Sequence, residues 1–150
     1  MIRIQPEPFD PAAELSALME RVPAAGAIAS FVGLVRPTAH DAPVEQLELE
    51  QYEGFTRLTV AAIAADARTR FDLIDLTIVH RFGSLLPGQP IVFVAAAAAH
   101  RRAAFDAVDY LMDRLKTEAP FWKREHGPRG SCWIEPTPVD YAARQRWDRG

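Results

Sequence analysis

A chain of 150 residues suits one domain with one sizeable core and room for a small appended lobe. It is 49% apolar and 25% charged, as soluble globular proteins are, and its net charge of −3 excludes broad nucleic-acid binding, because no global basic field would draw in a polyanion. The single cysteine, Cys132, excludes an internal disulfide framework and a multi-cysteine zinc site.

The first residues, MIRIQPEPFDP, lack the apolar run of a signal peptide. No segment approaches the ~18 apolar residues of a membrane span, so a cytoplasmic protein without a membrane partner is expected. Asp10-Pro11 starts a helix, since Asp caps free N–H groups and Pro fits the first helical position. Leu15, Leu18, Met19 and Val22 form its apolar stripe, and Pro23 and Gly26 end it. AGAIASFVGLVRP reads as a strand, with Gly33 marking a bulge or a close backbone approach. PTAHDAP reads as a mobile loop, and VEQLELEQY as a half-exposed strand with Leu47 and Leu49 on one face.

A helix is expected from Thr56 to about Phe71, with Leu58, Ala62 and Ala65 along one side. LIDLTIVHRFG alternates as a strand, and His80 between Ile78 and Phe82 reads as a core histidine. Pro87-Gly88 turns the chain into a buried strand, IVFVAAAAA, that pairs with it. A second long helix begins near His100, with Ala104, Val108, Leu111, Met112 and Leu115 at helical spacing, and Pro120 breaks it. SCWIEP is a last short strand, Cys132 reads as a buried thiol, and residues 136–150 read as a polar, flexible tail. The order α β β α β β α β predicts an α+β fold: helices on a mainly antiparallel sheet, in one domain spanning 1–150.

The chemistry gathers where cations cluster. His100 and Arg101 stand where a buried strand gives way to a helix, whose free N–H groups suit a phosphate or carboxylate. Lys116 lies near the far end of the same helix, roughly 24 Å away at 1.5 Å per residue. The two ends cannot share one pocket on one chain unless another segment folds back, but a dimer would unite them. Lys123 and Arg124 follow a Pro-Phe-Trp elbow, in a segment that reads equally as an exposed basic loop. A lysine buried beside other cations loses proton affinity and becomes a candidate acid–base group. The four histidines show no metal-ligand spacing, and neither a glycine-rich phosphate loop nor a G-x-S-x-G turn occurs.

VRP at 35–37, LELEQYEG at 47–54, HRFGSLLPGQ at 80–89, AHRRAAFDA at 99–107 and KTEAPFWKRE at 116–125 occur in an order that resembles the large, catalytic subunit of molybdopterin synthase. The resemblance runs from about residue 20 to residue 135. It implies an α/β hammerhead with an added small β-subdomain. It also implies conversion of cyclic pyranopterin monophosphate to molybdopterin, with two sulfurs delivered as a thiocarboxylate on the C-terminal Gly-Gly of a small ubiquitin-like subunit. Two large subunits would pair centrally, with one small subunit at each end. Lys116 and Lys123 match the family's catalytic lysines, with Lys116 favoured for the acid–base role; Arg36, His100, Arg101, Arg124 and Glu125 match its substrate pocket. No cofactor or metal is implied. Leu34 and Pro37 depart from the family pattern beside Arg36, and Pro37 removes a backbone N–H from that loop. Two rival readings are a persulfide sulfurtransferase using Cys132 and a non-catalytic pterin- or phosphate-binding scaffold.

Overall fold

A computed structural model describes residues 1–149. In chain order the elements are β1 (Ile2–Gln5), α1 (Pro11–Arg21), β2 (Ala27–Leu34), β3 (Thr38–Ala39), β4 (Ala42–Pro43), β5 (Gln46–Gln51), α2 (Phe55–Arg70), β6 (Asp75–Arg81), β7 (Gly83–Leu85), β8 (Pro90–Ala98), α3 (Arg101–Glu118), β9 (Phe121–Gly127), β10 (Gly130–Ile134) and α4 (Pro138–Gln145), followed by a 3-10 turn at Arg146–Arg149. One sheet runs β1-β6-β8-β2 and is antiparallel except for the β1–β6 pair. A second, antiparallel sheet runs β10-β9-β5-β7. The result is the expected α+β architecture, with the second sheet as the added β-subdomain.

Strand β8 divides the main core by its pleat, because successive side chains point to opposite faces. Val92, Val94, Ala96 and Ala98 pack with α2 and α3, while Phe93, Ala95 and Ala97 pack with Leu18 and Val22 around α1. The alanine run thus supplies small, fully buried positions on both faces of a central strand. Asp10 caps α1 by accepting the Ala12 N–H at 2.9 Å, with Pro11 first in the helix. In α3, Ala104, Val108, Leu111 and Leu115 are buried at the expected spacing. In α2 the buried face is Thr56, Val60, Ile63, Ala64 and Ala67. The expected face through Leu58, Ala62 and Ala65 points to solvent instead.

Several short elements escaped the periodicity. PTAHDAP forms a tight hairpin of β3 and β4 rather than a mobile loop; His40 and Asp41 both take positive φ, as a two-residue primed turn requires. The expected bulge in β2 falls between Gly33 and Leu34. The segment after Pro120 is a strand, not a basic loop, and lies along β5.

The C-terminal stretch also differs from its reading as a flexible tail. Thr137 and Asp140 form a reciprocal capping box that starts α4, with Pro138 at its first position. Arg146 then pairs with Asp109 at 2.6 Å and Asp113 at 2.8 Å, and Trp147 packs edge-on against Phe71 and Tyr110 while its indole N–H donates to Asp113 at 2.7 Å. One aromatic anchor amid polar residues therefore clamps the stretch to α3. Trp147→Ala is expected to lower unfolding stability by ~2 kcal/mol, less than a fully buried tryptophan would cost, read from the urea midpoint at unchanged slope.

Candidate active site

A cavity of about 710 Å³ opens where the two sheets meet. Lys116 reaches it from the last turn of α3, Lys123 and Glu125 from β9, Arg36 from the end of β2, and Asp140 from α4. The pairing of β9 with β5 decides which side chains arrive. Lys123 lies opposite Leu49 and Glu125 opposite Leu47, and both leucines are buried in the core of the second sheet. Arg124 and His126, one step out of phase, face the other way. There Glu48 accepts from Arg124 at 2.8 Å and pairs with His126 at 2.8 Å, and Arg124 stacks on Trp133.

The electrostatics are asymmetric. The Lys116 ammonium pairs with Asp140 at 2.8 Å. Burial pushes the Asp140 carboxyl upward, but hydrogen bonds from Lys116 and from the Thr137 backbone and hydroxyl outweigh it and bring it down to about 2. Lys123 has no ion pair among the described residues. Burial first, and the Lys116 charge second, push its ammonium below the ordinary lysine range, with Asp140 opposing more weakly. Two lysines seven residues apart in sequence thus meet at one cavity, with only one of them neutralised by a carboxylate.

Of the residues singled out in the sequence, Arg36, Lys116, Lys123 and Glu125 converge here. His100 and Arg101 do not: His100 is the exposed N-cap of α3, and Arg101 opens the helix at the end remote from Lys116. Arg124 belongs to the outer face of β9. Asp140 was missed, because T-x-x-D signals a helix start and not the partner that its carboxylate finds 24 residues away in sequence. His80 is buried as expected, yet it also lines the cavity. Cys132 is exposed rather than buried, because β10 is the outermost strand of its sheet. Among the described residues no group of three or more His, Cys, Asp or Glu is placed to hold a metal ion, and no helix is long and apolar enough to cross a membrane.

Residues 4–118 match the family described as MoaE protein. The molybdopterin synthase catalytic subunit of Caulobacter vibrioides is 52% identical over 149 residues, covering 99% of this chain and 98% of its own. That of Escherichia coli is 44% identical over 146 residues, covering 97% of each. The Burkholderia ambifaria structure of a molybdopterin biosynthesis MoaE protein superposes with a TM-score of 0.84 at 47% identity, covering 100% of this chain and 99% of its own. Molybdopterin synthase from Staphylococcus aureus superposes with a TM-score of 0.80 at 29% identity, covering 89% of this chain and 96% of its own. Both the sequence and the two-sheet architecture around the lysine cavity therefore place the chain in the MoaE family, among the molybdopterin synthase catalytic subunits.

Proposed function

We propose that the chain acts as the catalytic subunit of a molybdopterin synthase, a sulfurtransferase of molybdenum cofactor biosynthesis. Its substrate is cyclic pyranopterin monophosphate, and the sulfur arrives on the thiocarboxylated Gly-Gly end of a small ubiquitin-like subunit. The observation that carries this reading is the convergence of Lys116 and Lys123 on one cavity, with proton affinity lowered at Lys123. The relatives' shared description as a catalytic subunit fits a protein with a companion.

The environments of the lysines divide the labour. Lys116, held by Asp140, is an oriented cation suited to fix a carboxylate or phosphate. Lys123 suits proton transfer, because burial and the Lys116 charge make its ammonium release a proton more readily than an ordinary lysine, and the amine can take it back as a base. This reverses the emphasis of the sequence, which favours Lys116 for that work. Each sulfur that replaces an oxygen needs a proton for the departing oxygen, and Lys123 delivers it. The nucleophile comes with the partner, so exposed Cys132 has no part in the step.

His100 and Arg101 enter through a second copy. Strand β2 is the edge of the main sheet and exposes Phe31, Val32 and Leu34. An unpaired, apolar edge is a template for another strand. The start of β2 lies beside the end of β8, where Gly26 donates to Ala98 two residues before His100, and its far end leads into Arg36. Antiparallel pairing of β2 with its copy about a two-fold axis would set one subunit's His100 and Arg101 beside the other's lysine cavity. Phosphate would then be gripped by a helix start from one subunit and Arg36 from the other.

Two outcomes follow for purified protein mixed with thiocarboxylated small subunit and pterin precursor, with dithiolene product as the readout, and a third from the protein alone. Lys123→Ala lowers kcat at least ~100-fold, whereas Cys132→Ser leaves it within twofold; the reverse pattern would favour persulfide chemistry, and binding without any turnover a scaffold. Mixing and reassembling two inactive variants, Arg101→Ala and Lys123→Ala, restores roughly a quarter of wild-type activity, since half the dimers then carry one intact site of two. Lys116→Gln removes the like charge and raises the titration midpoint of Lys123, seen by NMR of labelled lysine. The midpoint stays below that of ordinary lysine, because burial, the larger cause, remains.

A further inference from the structure

His80 is more than a core histidine. The residue is 6% exposed, and its ring stacks on Phe121 with 3.7 Å between centroids and 9° between planes. Nδ1 lies 2.8 Å from the Arg81 carbonyl oxygen. A carbonyl can only accept, so Nδ1 carries the proton, and in the neutral ring Nε2 is left with a lone pair. Nε2 finds no hydrogen-bond partner among the described residues, yet it is not one of the sealed polar atoms: those are Nε of Arg3 and of Arg114. His80 lines the cavity that holds Lys116 and Lys123, and the Lys123 charge acts on its imidazole.

A purely structural role leaves half of this ring unexplained. Stacking on Phe121 would be served as well by a phenylalanine, which would not place a nitrogen at a polar cavity. An acid–base role fits no better. Burial first, and the nearby Lys123 charge second, lower the imidazole to about 3, so it stays unprotonated where the lysines work. What remains is a rigid, neutral acceptor in a largely apolar wall whose other polar side chains, Thr137 apart, are cations and carboxylates.

We propose that Nε2 of His80 is a substrate-facing hydrogen-bond acceptor that takes an N–H or O–H of the pterin bound beside the two lysines. The inference rests on the function proposed above and adds a recognition contact to it. Arg81 is part of the device, because its carbonyl fixes the tautomer and its own side chain is buried and tied to the Pro6 carbonyl at 2.9 Å. A cation pocket recognises charge without shape; a fixed neutral acceptor selects a ligand that presents a donor at one point.

The two amide replacements for histidine separate the roles. Asn imitates Nδ1–H and keeps the bond to the Arg81 carbonyl but has nothing at Nε2. Gln places an amide oxygen near Nε2 and restores the acceptor. Binding of cyclic pyranopterin monophosphate is measured by calorimetry on the full-length assembled protein. His80→Asn is expected to bind roughly tenfold more weakly, and His80→Gln to recover most of that loss. Equal binding by all three proteins overturns the proposal, as does better binding by Asn than by Gln, which would mark the Arg81 bond as the part that matters. Should His80→Asn fail to fold, ring 15N resonances of the wild-type protein decide. An unprotonated Nε2 that shifts on adding the pterin supports the contact, and a protonated Nε2 or an unmoved signal overturns it. A wild-type protein that binds no pterin overturns the parent function as well, and is recognisable because no variant is involved.

Discussion

The site depends on the register between β9 and β5. A strand has a side-chain period of two, so a slip of one residue would turn Lys123 and Glu125 out and bring Arg124 and His126 in. Two kinds of contact prevent it. On the inner face Leu47 and Leu49 are buried beside the positions of Glu125 and Lys123. On the outer face Glu48 holds Arg124 and His126 at once, and those two hydrogen bonds keep its carboxyl below the usual range. The apolar side supplies the energy of pairing and the polar side its phase. Arg124 therefore serves the site although it does not touch the cavity: it fixes which way its neighbours point.

Like charges brought together inside a protein cost free energy unless something answers them. The chain answers half of the problem itself. Asp140 pairs with Lys116 and is positioned by the capping box of α4, which Trp147 and Arg146 clamp to α3. Lys123 is left without a counter-ion among the described residues, and its reduced proton affinity records that choice. A carboxylate bonded to Lys123 would have opposed that lowering. The C-terminal helix is thus an electrostatic part of the site, although its sequence reads as a polar end.

Legibility in the sequence followed the range of the interactions. The N-cap of α1, the stripe of α3, the β2 bulge and the β6–β8 pairing are local or strongly periodic, and they were readable. The strand character of FWKREHG was not, because four of its seven residues are charged or histidine and such residues carry little strand preference of their own. Its alternation was nevertheless present: read as a strand, Lys123 and Glu125 fall on one face and Arg124 on the other, which would have excluded Arg124 from the pocket. The Lys116–Asp140 pair and the exposure of Cys132 lie beyond such reasoning, since both depend on where distant segments dock. The α2 face was misread because alanine is too small to signal burial: Ala64 and Ala67 are inside, and Ala62 and Ala65 are outside.

The distance between the ends of α3 has a thermodynamic consequence. His100 and Arg101 cannot reach the lysines of their own chain, so the phosphate grip proposed above would need a second copy. On that arrangement the assembled pair gathers still more positive charge around one cavity, which opposes association while the cavity holds no anion. A bound phosphate removes the opposition. Linkage then requires reciprocity: whatever free energy the anion contributes to holding two subunits together, dimerisation contributes equally to holding the anion. In that pair the exposed apolar edge of β2 would supply the part of the association that needs no ligand, through Phe31, Val32 and Leu34, and the charges would supply the part that does. Sharing cations between chains in this way would let a mildly acidic protein hold a strongly basic site, its charges brought fully together only where an anion meets them.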